Sequence, residues 1–458
     1  MTRKISLIFI SIMLVISMVL SLSGCGNVEA PVTQGGSSNT QSSAPDTQSS
    51  TPDTQGPQDN GENPNDSYAY TATDLTAEYE RVYSSLKQVD EAFIKNQMSL
   101  ALKLFKASAN ESKDENVLIS PLSIQLALAM AANGANGQTK AEMEALLGGD
   151  ISIDELNEYL VTYVTKLPES EKYKLEIANS IWVKNGGIVP NEDFLWNNKS
   201  YYDAQIYSAP FDESTVNDIN HWVSDKTDGM IDEIVNQIDP SAIMYLINAV
   251  MFDAEWASIY SIYDVEKGEF TAITGEKQTV NMMHSSEHRY IELDNATGFK
   301  KNYKYGKYSF VALLPNEGVS LEELVEGLEG EELLSAIKYA DMTTVLATMP
   351  KFSYEYTLNM NDTLKALGMP TAFDPSGADF SAMGQADGNV YINSVTHKTF
   401  ITVDEAGTKA GAVTSVEMTA GSAPEELKVV NLDRPFLYMI VDNTTNLPIF
   451  VGTLTSVK

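Results

Sequence analysis

The chain has 458 residues, and 30 Lys and Arg stand against 63 Asp and Glu for a formal charge of −33. That balance excludes a partner held through phosphates, since nucleic-acid binding needs clustered basic residues; it suits a soluble, self-repelling extracellular protein. With a single cysteine, an intramolecular disulfide is excluded and a Cys-ligated metal or redox centre has no support.

At the N-terminus, Arg3 and Lys4 precede an apolar run from Ile5 to Leu20 broken only by serines, the pattern of a secretory signal. The run is shorter than the about 20 apolar residues of a membrane span. Leu22-Ser23-Gly24-Cys25 resembles the bacterial lipoprotein box, in which cleavage leaves the cysteine as a lipid-bearing N-terminus. Residues 1–24 are therefore read as a lipoprotein signal peptide and Cys25 as the lipidation site. Two acyl chains, at about 0.8 kcal/mol per buried methylene, would hold the protein to the membrane. The expected location is the extracellular face of the cell membrane, lipid-anchored, or outside the cell after release. From Gly26 to about Thr73 the chain is mostly Gln, Ser, Thr, Pro, Asp, Asn and Gly, with almost nothing to bury, a linker by composition. Its reach as a flexible coil is roughly 40 Å.

Length alone suggests two or three domains. Asp74 predicts a capped short helix through Gln88, a helical extension at the start of a folded part spanning 74–458. Phe93, Ile94, Met98, Ala101, Leu102 and Phe105 recur at helical spacing and predict an amphipathic helix from Asp90 to Ala107. Ser120-Pro121 opens another: Ser caps well and Pro fits the first turn. Its Leu126–Met130 run is apolar all round and predicts burial. Strands are predicted at Tyr173–Val183, Tyr245–Phe252, Tyr308–Leu314, Thr343–Phe352, Lys398–Val403, Phe436–Asp442 and Ile449–Leu454. Several are continuously apolar and belong in a covered sheet. Helices gather in the first half and strands dominate the second, which gives an α+β class.

No enzyme motif survives inspection. There is no G-x-S-x-G, H-E-x-x-H or Walker sequence, and Asn133-Gly134-Ala135-Asn136-Gly137 lacks the third glycine and preceding strand of a dinucleotide loop. Ser84-Ser85-Leu86-Lys87 matches S-x-x-K without any later K-T-G. His284 and His288 would need a helix and a third ligand to hold a metal. No metal or cofactor is expected.

The segment Val403–Ser422, VDEAGTKAGAVTSVEMTAGS, alternates like a strand. Thr408, Ala410, Ala412, Thr414, Val416 and Met418 fall on one face, and Lys409, Gly411, Val413, Ser415 and Glu417 on the other. One face can be buried while both charges stay in water. A Gly/Ala-rich hairpin is the plain alternative on this stretch alone.

Its flanks and the rest of the chain resemble the serpin family. His397-Lys398-Thr399-Phe400 leads into Val403-Asp404-Glu405 and Gly407-Thr408, and Asp433-Arg434-Pro435-Phe436 follows. Upstream, in family order, stand Asn116–Ile124, Ala178–Trp182, Ile219–Val223, Leu246–Phe252, Trp256, Met349–Phe352 and Phe373–Ser376. Pro448–Gly452 closes the chain, so the resemblance covers roughly residues 90–458.

The resemblance implies a serpin fold: helices over a large central mixed sheet, further sheets, and an exposed reactive-centre loop. It implies an inhibitor, not an enzyme, acting on serine proteases. The loop offers a scissile bond, the protease forms a covalent acyl complex with it, and the cut N-terminal arm inserts as a new strand. About 14 residues at roughly 3.3 Å each would carry the protease roughly 45 Å. Glu405, Gly407, Thr408, Ala410, Gly411 and Ala412 match the hinge that enters first. Counting from Gly407 places the reactive bond at Gly421-Ser422, with Thr419 and Ala420 beside it. Ser120, Ser123, Asn248 and His397 match the shutter beneath the central sheet, and Trp256 the breach at its top. Small residues before the bond point to elastase-like or subtilisin-like targets, with cysteine proteases as a further class. A monomer is expected. The alternatives are a non-inhibitory serpin-fold binding protein and, remotely, a lipoprotein substrate-binding receptor.

Overall fold

The structure, a computed structural model, describes residues 68–81, 86–239, 242–408 and 427–457. Cys25 and the positions Ala410, Gly411, Ala412, Thr419, Ala420, Gly421 and Ser422 lie outside the described residues.

Among the described residues, three larger sheets, a two-stranded ribbon of Ile188–Pro190 and Gly384–Ala386, and the helices around them make the α+β architecture. Seven strands form the largest sheet. In chain order they are β1 (Thr73–Asp74), β2 (Tyr173–Lys184), β3 (Gln205–Ala209), β4 (Met244–Glu255), β5 (Phe352–Asn359), β6 (Thr396–Val403) and β7 (Gly407–Thr408), and across the sheet they run β1-β3-β2-β4-β7-β6-β5. The two-residue β7 pairs antiparallel with both neighbours, so the longer β4 and β6 run parallel to each other on either side of it. Further along they approach directly at a Leu246–Val395 bridge. A six-stranded sheet and a four-stranded sheet complete the body. In the latter, β8 (Lys428–Asn431) lies at the margin and pairs in parallel with Val345–Pro350.

The strand predicted over Thr343–Phe352 is divided between two sheets. Val345–Pro350 belongs to the four-stranded sheet and β5 to the central one, and the chain crosses between them at Lys351. A continuous apolar run reports burial on both faces but not which sheet covers them.

Helix α1 (Glu91–Glu111) is capped by Asp90, whose carboxylate accepts the Phe93 N–H. Helix α2 (Pro121–Ala132) is capped by Ser120, and all twelve of its residues are buried. Its Leu, Ala and Met side chains are apolar all round, so it can only lie inside, where it packs against β4 and β2. The main core lies among these elements. A second cluster, built on Trp182, Tyr207, Trp222 and Ile247, lies under helix α3 (Glu213–Lys226).

The helix expected from Asp74 to Gln88 is absent from residues 74–81 and 86–88. Asp74 does not cap a helix. Its carboxylate accepts from Thr76 N and Oγ1, an Asx turn, while Leu75 N–H donates to Ile206 O at the sheet edge. The folded body also begins earlier than Asp74. Residues from Tyr68 onward belong to it, held by the buried Asp218 carboxylate, which accepts from Tyr68 Oη, Thr71 N, Thr71 Oγ1 and Ala72 N. Removing four hydrogen-bond partners from a buried carboxylate would be costly, so this short strip is firmly docked.

Candidate functional site

On the two sides of residues 409–426 the described chain lies in different sheets: Thr408 ends a strand of the central sheet, and Lys428 begins β8 of the four-stranded sheet. The hinge candidates Glu405, Gly407 and Thr408 stand on the first side. Asp404 makes the reversal from β6 into β7. Its carboxylate accepts from Ala406 N at 2.8 Å and Gly407 N at 3.2 Å, and its own N–H donates to Gly407 O. Val403 then faces Thr408 across the hairpin, and Gly407 and Thr408 pair with Glu255 and Ala254 of β4. Gly407 is fixed by proximity: a Cβ there would sit 2.0 Å from Ala254 O. Thr408 is buried at 2% exposure.

Trp256 is fully buried beside this turn. Its backbone N–H donates to Ala406 O and its indole N–H to Asp404 O, both at 2.9 Å. Tyr260 N–H donates to Glu405 O, and Lys351 closes the outer side through an ion pair with Glu405 at 2.6 Å. Thus the backbone carbonyls of Asp404, Glu405 and Ala406 are all held from one short segment after β4.

Two residues that sequence reading missed pack around Trp256 and Thr408. The ring of Tyr303 lies on Trp256, 4.4 Å between centroids and 11° between planes, and its hydroxyl is 2.6 Å from Thr408 Oγ1. Lys301 is buried, with its ammonium 5.3 Å from the Trp256 ring and 4.4 Å from the Tyr260 ring. It is paired with Glu287 at 2.8 Å and donates to Ser258 O. A buried ammonium is tolerable only with such a partner set. The signal was available: Phe299, Lys301 and Tyr303 alternate, the period of a strand with one buried face.

The shutter candidates divide into two groups. Ser120 N–H donates to His397 Nε2 at 3.0 Å, and Ser120 Oγ accepts Ser123 N–H at 3.3 Å. Asn248 is joined instead to Asn179, its register partner on β2, through a 2.5 Å side-chain bond. All of them are buried. His284 and His288 share no helix, since a strand ends at Glu287 between them. Among the described residues, no cluster of His, Cys, Asp and Glu could hold a metal ion.

Burial pushes the His397 pKa down to about 4, so the ring is neutral at pH 7 and its Nε2 accepts. An unfolded histidine titrates near 6.5. Between those values the unfolded chain binds a proton that the folded one refuses, so stability is lost as pH falls from about 6.5 toward about 4. The expected slope is at most about 1.4 kcal/mol per pH unit. Urea midpoints of wild type and His397→Gln should diverge in slope across that window. Parallel curves would show that another group carries the dependence.

The arrangement holds no nucleophile–base pair. It is a two-residue strand start, seated between two longer parallel strands. A family model described as Serpin (serine protease inhibitor) matches residues 95–457. The solved structure of tengpin, a thermophilic serpin in its native state, is 53% identical, covering 84% of this chain and 99% of its own, with a TM-score of 0.81. An uncharacterized serpin-like protein of Thermococcus kodakarensis is 31% identical over 385 residues, covering 82% of this chain and 88% of that one. The leukocyte elastase inhibitor of Xenopus laevis is 29% identical, covering 77% and 96%.

Proposed function

The chain belongs to the serpin family, and on that premise we propose that it traps serine proteases of elastase-like or subtilisin-like specificity by acylation and loop insertion. The observation that carries this reading is the two-residue β7, a strand begun between β4 and β6 and ending, in the described chain, at Thr408. The residues that would follow it inward are small: Ala410 and Ala412 by alternation. The resemblance to an inhibitor of leukocyte elastase agrees with Thr419, Ala420 and Gly421 before the expected bond. Such side chains leave a shallow pocket satisfied, whereas the buried carboxylate of a trypsin-like pocket would stay unpaired.

Incubation with pancreatic elastase or subtilisin should give a complex that survives SDS. Mass spectrometry of the C-terminal peptide released on acylation should place its new N-terminus between Thr419 and Ala423. A new N-terminus at Lys428 or beyond would overturn the placement of the bond, and cleavage without any complex would overturn the inhibitory reading.

A further inference from the structure

Most of the contacts that seat the hinge read only its backbone. Trp256 and Tyr260 hold the carbonyls of Asp404, Glu405 and Ala406, and those bonds are indifferent to the side chain at 408. One contact is not. Tyr303 and Thr408 share a hydroxyl–hydroxyl hydrogen bond of 2.6 Å, with both residues buried. Tyr303 has little freedom to turn aside, because its ring lies flat on Trp256 and Lys301, anchored to Glu287, stands by that indole.

We propose that Tyr303 is a positioning residue for loop insertion: its hydroxyl catches Thr408 in the gap between β4 and β6, so that insertion begins from a strand pair already formed. Tyr303 acts through Thr408 and touches neither the protease nor the reacting bond. The inference rests on the inhibitory reading above and adds a determinant to it. An acyl-enzyme is released by water if insertion is slow and trapped if insertion is fast. The first pair of a new strand is the costly one, because it fixes backbone dihedrals before later rungs return anything. A hinge that is already seated has that step behind it, so the partition favours trapping.

Tyr303→Phe keeps the ring and its stacking on Trp256 but leaves Thr408 Oγ1 buried without this partner. The seated hinge is then weakened by a buried hydroxyl left without its partner, and the amides of Asp404–Thr408 should exchange faster in the unreacted protein. With elastase, the moles of inhibitor consumed per mole trapped should rise by about five- to tenfold. Thr408→Val leaves the Tyr303 hydroxyl unpaired and should raise the ratio similarly. The double variant Tyr303→Phe/Thr408→Val presents apolar groups on both sides, and replacing both partners of a buried bond is nearly neutral. Its ratio should therefore return toward wild type, a rescue that a merely structural role for Tyr303 would not give. Single variants with the wild-type ratio, or a double variant no better than either, overturn the inference while wild type still traps. A wild-type protein that is cleaved without trapping removes the inhibitory reading, and the inference falls with it.

Discussion

Thr408→Arg should convert the protein from a trap into a substrate, with the loop cut at an undiminished rate and the SDS-stable complex gone. Thr408 is 2% exposed between Val403 and Ala254, with Tyr303 over its hydroxyl. A guanidinium there has no acid within the contacts described for this position, and an unpaired buried charge costs several kcal/mol. The hinge would leave the gap, and every later rung would wait behind it. Each 1.4 kcal/mol added to the insertion barrier slows it about tenfold against deacylation. The check is a gel and a peptide mass: both cleavage products present, covalent complex absent. A variant that still traps elastase mole for mole would show that the strand does not start at Thr408.

The second large effect concerns heat. Cutting the loop should raise the melting temperature by tens of degrees. A dozen new ladder bonds at about 0.5–1.5 kcal/mol each come to on the order of 10 kcal/mol. For a domain of a few hundred residues each kcal/mol shifts the midpoint by about 2–4 °C. Calorimetry of intact and loop-cut protein, prepared with a protease that the inhibitor does not trap, measures the difference directly. Equal midpoints would mean that the cut arm stays outside the sheet, which would favour the non-inhibitory alternative.

Much of this was legible in the chain. Continuously apolar strands such as Phe436–Asp442 were placed to the residue, because a strand covered on both faces leaves little room for polar side chains. Ser120 announced its helix, since a capping hydroxyl followed by Pro has few other uses. The helix drawn from Asp74 failed for a local reason. A carboxylate that caps a helix accepts from an N–H two or three residues on, but the same bond to Thr76 also closes an Asx turn, and the neighbouring sheet edge decided between them. Lys301 and Tyr303 drew no strand prediction, because their period-two alternation with Phe299 is carried by a lysine and a tyrosine in a polar stretch. The tertiary fold shows what that buried face meets: Trp256 and Thr408. Likewise Asn248 was grouped with Ser120 and His397 by resemblance, while its recorded side-chain bond is to Asn179 across the sheet.

The margin strand β8 has one more consequence. Only four residues long, it hydrogen-bonds to a single neighbour, Val345–Pro350, and is pinned beneath by the buried Val430 and Leu432. An uncut loop is tethered at both ends, at Thr408 by the hinge and at Lys428 by this strand. It can fill the central sheet whole only if β8 peels away and lends its length. Peeling a few rungs is a local opening, far smaller than unfolding the domain. If the loop inserts as proposed, the shelf life of the unreacted protein should be a half-life set by that opening, shortening steeply on warming well below any global melt.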